Sequence, residues 1–320
     1  MKRFCFIINP HSGISQKTHL VKLINELADT LHYTPLITYT EYAGHASKIV
    51  AQALIEHVDA VIAIGGDGTV NEIATALCET KVPLGIIPRG SGNGFARHMN
   101  LPFSPREAII AINEGYIRHV DYGTINDKHF FCTCGIGFDA LISYRFSIGS
   151  KRGIQGYFEQ VLRSSRNYES EQYHLEIDGK SYDCKAFVIA IGNASQYGNN
   201  AYITPEAKIS DGHLNMTVVH PFAIIDTPEL AFQLFSKDIH KNKNVATFEC
   251  KHIIIDREFP GLAHYDGESC MMDRRLAIDI HPQGLAVICQ QKKKQRLPSP
   301  LLWSNLIKKI NNQIPWPKKS

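Results

Sequence analysis

Three short stretches in the first hundred residues combine glycine with hydroxyl side chains: Asn9-Pro10-His11-Ser12-Gly13, Gly65-Gly66-Asp67-Gly68-Thr69 and Pro88-Arg89-Gly90-Ser91-Gly92-Asn93-Gly94. Glycine lets main-chain N–H groups close on an anion, and a helix starting just after the turn adds a partial positive charge. Ser12, Thr69 and Ser91 add hydroxyl donors, and the Asp67 carboxylate is suited to orienting a hydrated Mg²⁺. One such turn is usually no more than a tight connection. Three in succession, each with a hydroxyl, read as a phosphate cradle. None has the G-x-x-x-x-G-K-[ST] or G-x-G-x-x-G spacing, so neither a P-loop nor a Rossmann dinucleotide site is supported. Asp211-Gly212 and Asp266-Gly267-Glu268 place further carboxylates in glycine turns, a pairing that is common for purely local reasons.

The elements that must position these residues fall into two textures. Up to about residue 120, short apolar runs (Phe4–Ile8, Thr34–Tyr39, Ala60–Ile64, Leu84–Ile87) alternate with helical spacing, as in Leu20, Leu23, Ile24, Leu27 or Val70, Ile73, Ala74, Leu77. Apolar runs without alternation are strands covered on both faces, so this part is expected to be an α/β domain with a doubly wound parallel sheet, its three turns at the carboxyl ends of strands. From 121 to about 290 the pattern is that of an antiparallel, β-rich domain. Tyr173–Ile177 alternates with period two, Asp178-Gly179 is a hairpin turn, and Tyr182–Ile191, His213–Val219, Val245–Ile255, Arg275–Ile280 and Leu285–Cys289 read as strands. Gln155–Arg163 and Pro228–Phe235 have helical spacing.

The order and spacing of the Asn9–Gly13, Gly65–Glu72 and Pro88–Asn93 motifs resemble the diacylglycerol kinase catalytic domain family, over roughly residues 1–290. Gly-Gly-Asp-Gly-Thr also occurs in NAD kinases and phosphofructokinases; the Gly-Ser-Gly-Asn turn sets this family apart from those. The resemblance implies an ATP- and Mg²⁺-dependent kinase that phosphorylates a hydroxyl of a membrane lipid of the diacylglycerol or sphingoid-base type. It further implies that Asn9, Pro10, His11, Ser12, Gly13, Thr40, Gly66, Asp67, Gly68, Thr69, Val70, Asn71, Glu72 and Ser91 hold the nucleotide, with Asp67 near phosphates and metal. Asp211, with the carbonyls of Lys208 and His213, is the implied Mg²⁺ site. Asp266 or Glu268 is the implied general base, Asp266 being preferred. Asp121 matches an acidic position where the chain leaves the first domain. This sequence departs from the family at Gly94, often Asp, at Ile14, often basic, and at Arg89, often small or apolar. An NAD kinase and a non-enzymatic nucleotide-sensing module are the competing readings.

The 320 residues carry 34 basic and 31 acidic side chains, but residues 291–320 hold eight of the basic ones and no acid, leaving residues 1–290 net acidic. That balance argues against nucleic acid as a partner. No run of 18 apolar residues occurs, and the eight scattered cysteines read as reduced thiols of a cytoplasmic protein; assembly as a homodimer is left open. In the basic tail Leu302, Trp303, Leu306, Ile307 and Ile310 share a helical face, which suits either contact with the inner face of a membrane through residues 297–320 or packing on the first domain. Deleting 297–320 separates the two. Lost sedimentation with anionic vesicles at an unchanged melting temperature identifies the membrane role; a large drop in melting temperature with vesicle binding intact identifies the packing role.

Overall fold

The computed structural model describes residues 1–12, 17–29, 32–90, 92–148 and 168–291. Met1–Gln290 form one compact unit. It opens with β1 (Lys2–Ile8), α1 (Lys17–Leu27), β2 (Tyr33–Tyr39), α2 (His45–Ile55), β3 (Ala60–Gly65), α3 (Asp67–Leu77) and β4 (Leu84–Pro88), the strands lying parallel in the order β2-β1-β3-β4. The sequence shows no alternation because both faces are covered. Cys5, Ile7, Val61 and Ala63 pack with Val50, Ala53, Ile73 and Leu77 of α2 and α3. Phe6, Ile8, Ile62 and Ile64 pack with Leu20 and Ile24 of α1 and with Ile109 and Ile112 of a later helix. The chain leaves β1 towards one face and β3 towards the other, so the switch point of the sheet lies between their carboxyl ends, where open α/β sheets take ligands.

The chain continues through α4 (Gly94–His98), α5 (Pro105–Glu114), β5 (Tyr116–Ile125), β6 (Lys128–Phe130), β7 (Thr133–Gly137), α6 (Phe138–Ile148), β8 (Glu171–Ile177), β9 (Lys180–Ala186), β10 (Val188–Gly192) and β11 (Leu214–Val219). It ends with α7 (Thr227–Ser236), β12 (Val245–Cys250), β13 (His252–Arg257), β14 (Gly261–Tyr265), β15 (Glu268–Met272) and β16 (Arg275–Cys289). A six-stranded antiparallel sheet, β12-β11-β10-β7-β14-β15, packs against the antiparallel part of the larger sheet. Ile136, Ile189, Met216 and Ala263 from one side meet Ile125, Leu175, Ile255 and Ile278 from the other, forming the core of an antiparallel β-sandwich. Asp178 and Gly179 turn the β8–β9 hairpin at φ 46° and 78°, as their types foretell.

Four expected strands differ. Tyr182–Ile191 breaks at Phe187 and Val245–Ile255 breaks at Lys251; in each case one half lies in the large sheet and the other in the small one. An apolar run long enough for two short strands carries no mark of the corner where it changes layer. Conversely, Arg275–Ile280 and Leu285–Cys289 are one strand. The irregularity between His281 and Leu285, with Gln283 at φ 55°, bends β16 so that its start pairs with β13 and Val287 pairs with Leu84 of β4. The last strand thus ties the sandwich to the parallel sheet. The expected helix Gln155–Arg163 and the tail 297–320 lie outside the described residues.

Two buried charges fix this joint. Asp121 on β5 is fully buried and accepts the N–H groups of Gly212 and Gln283, each at 2.7 Å, so one carboxylate holds both the Asp211 turn and the bend in β16. Arg257, at the end of β13, donates to the carbonyls of Gly261, Leu262, Met272 and Asp273, gripping both legs of the β14–β15 hairpin. Burial pushes its guanidinium pKa down, and hydrogen bonds from Nε, Nη1 and Nη2 to four carbonyls offset that cost. Arg257→Met removes the donor from four carbonyls, one buried and three partly buried, and is expected to lower unfolding stability by about 3 kcal/mol. Urea unfolding reads this as a lower midpoint at constant slope; a loss below about 1 kcal/mol contradicts the gripping role.

Candidate functional site

The Gly66–Thr69 and Gly90–Gly94 turns touch main chain to main chain. A Cβ at Gly90 would stand 2.6 Å from the Cα of Gly66, so this approach requires glycine. Asp67 locks the pair: its Oδ2 accepts the N–H of Asn93 at 2.8 Å and its Oδ1 that of Gly94 at 2.8 Å. Asn93 closes the turn on itself, accepting from the Gly90 N–H and donating to the Gly90 carbonyl, in the left-handed conformation at φ 50° that asparagine tolerates. Burial pushes the Asp67 carboxyl pKa up, opposed by those two amides and by the Arg97 charge. The first turn joins the others through Asn9, whose Nδ2 donates to Thr69 Oγ1 at 2.9 Å across the switch point of the sheet. Asn9 also accepts from the N–H of His11 through its side chain and from the Ser12 hydroxyl through its carbonyl.

The remaining expected nucleotide residues surround this frame. Thr40 is buried and its N–H donates to Ile8 at the end of β1. Pro10 is partly buried and His11 is exposed. Glu72 accepts the N–H of Gly44 and, through its carbonyl, the Ser47 hydroxyl, which ties the loop after β2 to α3. Val70 is core. Gly13, Ile14 and Ser91 lie outside the described residues.

The sandwich brings the second carboxylate set to the same place. Asp266, at φ 48° in the tight β14–β15 turn with Gly267 at φ 86°, points its carboxylate at the stretch that runs into β7. Oδ1 accepts the N–H groups of Cys132 at 2.7 Å and Thr133 at 3.1 Å; Oδ2 accepts Phe131 N–H at 2.9 Å and Asn71 Nδ2 at 2.9 Å. Burial pushes its pKa up, and these four donors pull it back. A carboxylate has about four acceptor positions, and here all are used. Asn71 also donates to the His129 carbonyl, so α3 is stitched to the sandwich through the side chain that meets Asp266. Asp67, Asn71, Phe131, Cys132, Thr133, Tyr197 and Asp266 line one cleft.

Glu268 differs from Asp266. It is exposed, and its Oε1 lies where a Cβ on Gly68 would sit, 2.7 Å away, against the first turn of α3. Partial burial of its carboxyl, then the Glu72 and Asp266 carboxylates, push its pKa up. A carboxylate with free acceptor positions and a raised pKa suits proton abstraction better than a saturated one. The preference for Asp266 as base is therefore not what the geometry favours.

Asp211 is exposed and accepts only the N–H of His213, at 3.2 Å; the His213 ring faces the Asp211 carbonyl and the Lys208 carbonyl takes the Ser210 N–H. One carboxylate with neighbouring carbonyls is a set of hard oxygen donors that suits Mg²⁺. Among the described residues no three His, Cys, Asp or Glu side chains gather as a metal cluster. A cation at Asp211 would need carbonyl and water oxygens to complete its shell.

Reading the sequence alone missed Phe131, Cys132, Thr133 and Tyr197, and placed Asn93 in the third glycine turn without a role of its own. Asn93 was visible as the residue type that closes a left-handed turn. Phe131, Cys132 and Thr133 are brought in by the pairing of β7 with β14, and Tyr197 follows β10, which pairs with β7 on its other side; no local signal announces either pairing. The departure at Gly94 has a physical counterpart: a Cβ there would lie 3.3 Å from the Tyr197 carbonyl and 3.4 Å from Cys132 Sγ.

Comparison with known proteins bears on this arrangement. Residues 3–125 match the family profile described as the diacylglycerol kinase catalytic domain, and residues 133–289 match the YegS C-terminal NAD kinase beta sandwich-like domain. The chain is 28% identical to the probable lipid kinase YegS-like of Yersinia enterocolitica over 86% of its own length and 92% of the relative's. It is 35% identical to that of Chromohalobacter salexigens over 58% of its length and 62% of the relative's, and 27% identical to a diacylglycerol kinase of Staphylococcus saprophyticus over 81% and 90%. The fold is that of a diacylglycerol kinase crystal structure from Bacillus anthracis, with a TM-score of 0.70 and 24% identity over 90% of this chain and 97% of that one. The two matched stretches take in nearly all of Met1–Gln290, and the chain belongs to the diacylglycerol kinase catalytic domain family.

Proposed function

We propose that this kinase transfers the γ-phosphate of ATP to a hydroxyl group of a membrane lipid, with Glu268 as the general base. The observation that carries the reading is the Glu268 carboxylate, exposed beside Gly68 at the start of α3, where the glycine turns would hold a triphosphate. Main-chain N–H groups of the three turns and the positive end of α3 bind the phosphates. Glu268 takes the proton of the attacking hydroxyl. Asp67 and Asp266 hold the turns and the cleft wall, Asp266 acting as a positioning residue. Asp211, with the Lys208 and His213 carbonyls, is the proposed Mg²⁺ site, a set of hard oxygen donors; when bound, the cation would supply positive charge for the phosphoryl-transfer reaction.

Purified protein with labelled ATP, Mg²⁺ and a total lipid extract is expected to yield a labelled lipid phosphate. Labelled NAD phosphate in its place, with NAD supplied, contradicts the lipid reading. Glu268→Gln is expected to lower the transfer rate ~10²–10⁴-fold with ATP affinity kept. Lipid turnover by Glu268→Gln within error of wild type contradicts the base assignment.

The pH profile follows from the sign of the Glu268 shift. Only the anion accepts a proton, and its pKa lies above the usual glutamate range, so the rate climbs with pH through that raised value. In Glu268→Gln the climb disappears; an identical climb in the variant places the titrating group elsewhere. Asp266→Asn turns an acceptor into a donor facing main-chain N–H groups. It is expected to lower unfolding stability by about 1–3 kcal/mol and activity with it. Full stability with lost activity returns the base role to Asp266.

A further inference from the structure

We propose that the exposed face of α7 and the turn before it is the surface through which this protein inserts into a lipid bilayer. Ile225 is 86% exposed, Phe232 71% and Phe235 52%. Phe232 and Phe235 are one helical turn apart and share a face, while Leu230 turns into the protein. Exposed singly, such residues are unremarkable; three together on a short ridge mark a contact surface.

The ridge is built rather than frayed. The Leu234 carbonyl accepts the N–H of Tyr202 at 2.8 Å, Lys237 Nζ sits 4.3 Å from the centre of the Tyr202 ring, and Gln233 Oε1 accepts from Asn242 Nδ2 at 2.8 Å. Its surrounding charges are paired with one another, Asp226 with Lys243 at 3.7 Å and Asp238 with Lys241 at 2.7 Å. Glu229 accepts from Gln233 at 3.0 Å. The partner is therefore apolar and not selected by charge. A second copy of the chain fits poorly: a ten-residue helix offers a face about 15 Å long and about 10 Å wide, well short of the ~800 Å² per partner of a stable interface. A bilayer needs no matching shape, and aromatic side chains at its boundary are favourable.

The position of the ridge suits the function proposed above, on which this inference rests. Tyr202, bonded to α7, is five residues from Tyr197 in the cleft wall, a span of at most ~17 Å. Between them, a Cβ built on Gly198 would lie 3.9 Å from the Cα atoms of Gly92 and Gly94. One short segment thus connects the phosphate turn to the ridge, and a bilayer under α7 brings lipid hydroxyls to the mouth of the cleft.

The test is sedimentation of the full chain, without nucleotide, with phosphatidylcholine vesicles in about 1 M salt, where screening mutes the lysines of residues 291–320. Wild type is expected to bind, and the Phe232→Ser/Phe235→Ser double variant to lose at least tenfold in partitioning at an unchanged melting temperature. Ile225→Ser, outside the helix, is expected to lose less, and guards against a folding defect in the double variant. Both variants are expected to keep wild-type phosphoryl transfer to a short-chain lipid below its micelle concentration. Equal vesicle binding by the double variant overturns the proposal. So does absence of wild-type binding, or conversion of a dimer to a monomer by the substitutions. Vesicle binding without any lipid phosphorylation leaves the docking surface standing and instead removes the kinase reading.

Discussion

A carboxylate taken out of water must find hydrogen bonds, and in this protein two such groups find them in the main chain of the loops that line the cleft. Asp67 is held by the N–H groups of Asn93 and Gly94, Asp266 by those of Phe131, Cys132 and Thr133 together with the Asn71 side chain. Each requirement runs both ways: the charge needs the loop closed, and the loop has no other partner for those N–H groups among the contacts described. The cradle and the cleft wall are therefore fixed before any ligand arrives, which is the arrangement that phosphoryl transfer by positioning requires.

The larger architecture serves those bonds. β16 begins in the sandwich and ends beside β4, and Asp121 pins its bend to the Asp211 turn. Arg257 holds the base of the hairpin whose tip presents Asp266 and Glu268. Asn71 reaches from α3 to the sandwich. Glu268 stands apart because its acceptor positions are not taken up by the main chain; this is why it, and not Asp266, is the base in the function proposed above.

Much of this was legible in the residues. The uninterrupted apolar runs Ala60–Ile64 and Leu84–Ile87 gave away a sheet covered on both faces, and three glycine turns marked the carboxyl ends of its strands. The sandwich was legible as a class and less so in detail. At Phe187 the apolar residues simply continue, and at Lys251 a short polar stretch, Glu249 to His252, reads as an exposed strand segment and not as a change of layer. α6 was missed because Ala140, Leu141 and Ile142 run together without a stripe; it carries apolar residues towards more than one neighbour. The division of labour between Asp266 and Glu268 depends on donors more than 130 residues upstream, and spacing within Asp-Gly-Glu cannot reveal it.

Amide hydrogen exchange in Asp67→Ala and Asp266→Ala, each against wild type, tests most directly whether these two carboxylates hold the loops. The account predicts that Asp67→Ala loses at least about tenfold in protection at Asn93 and Gly94, an opening free energy lower by ~1.4 kcal/mol, and that Asp266→Ala does so at Phe131, Cys132 and Thr133, while β1 and β3 stay protected in both. Unchanged protection at those amides in either variant contradicts it.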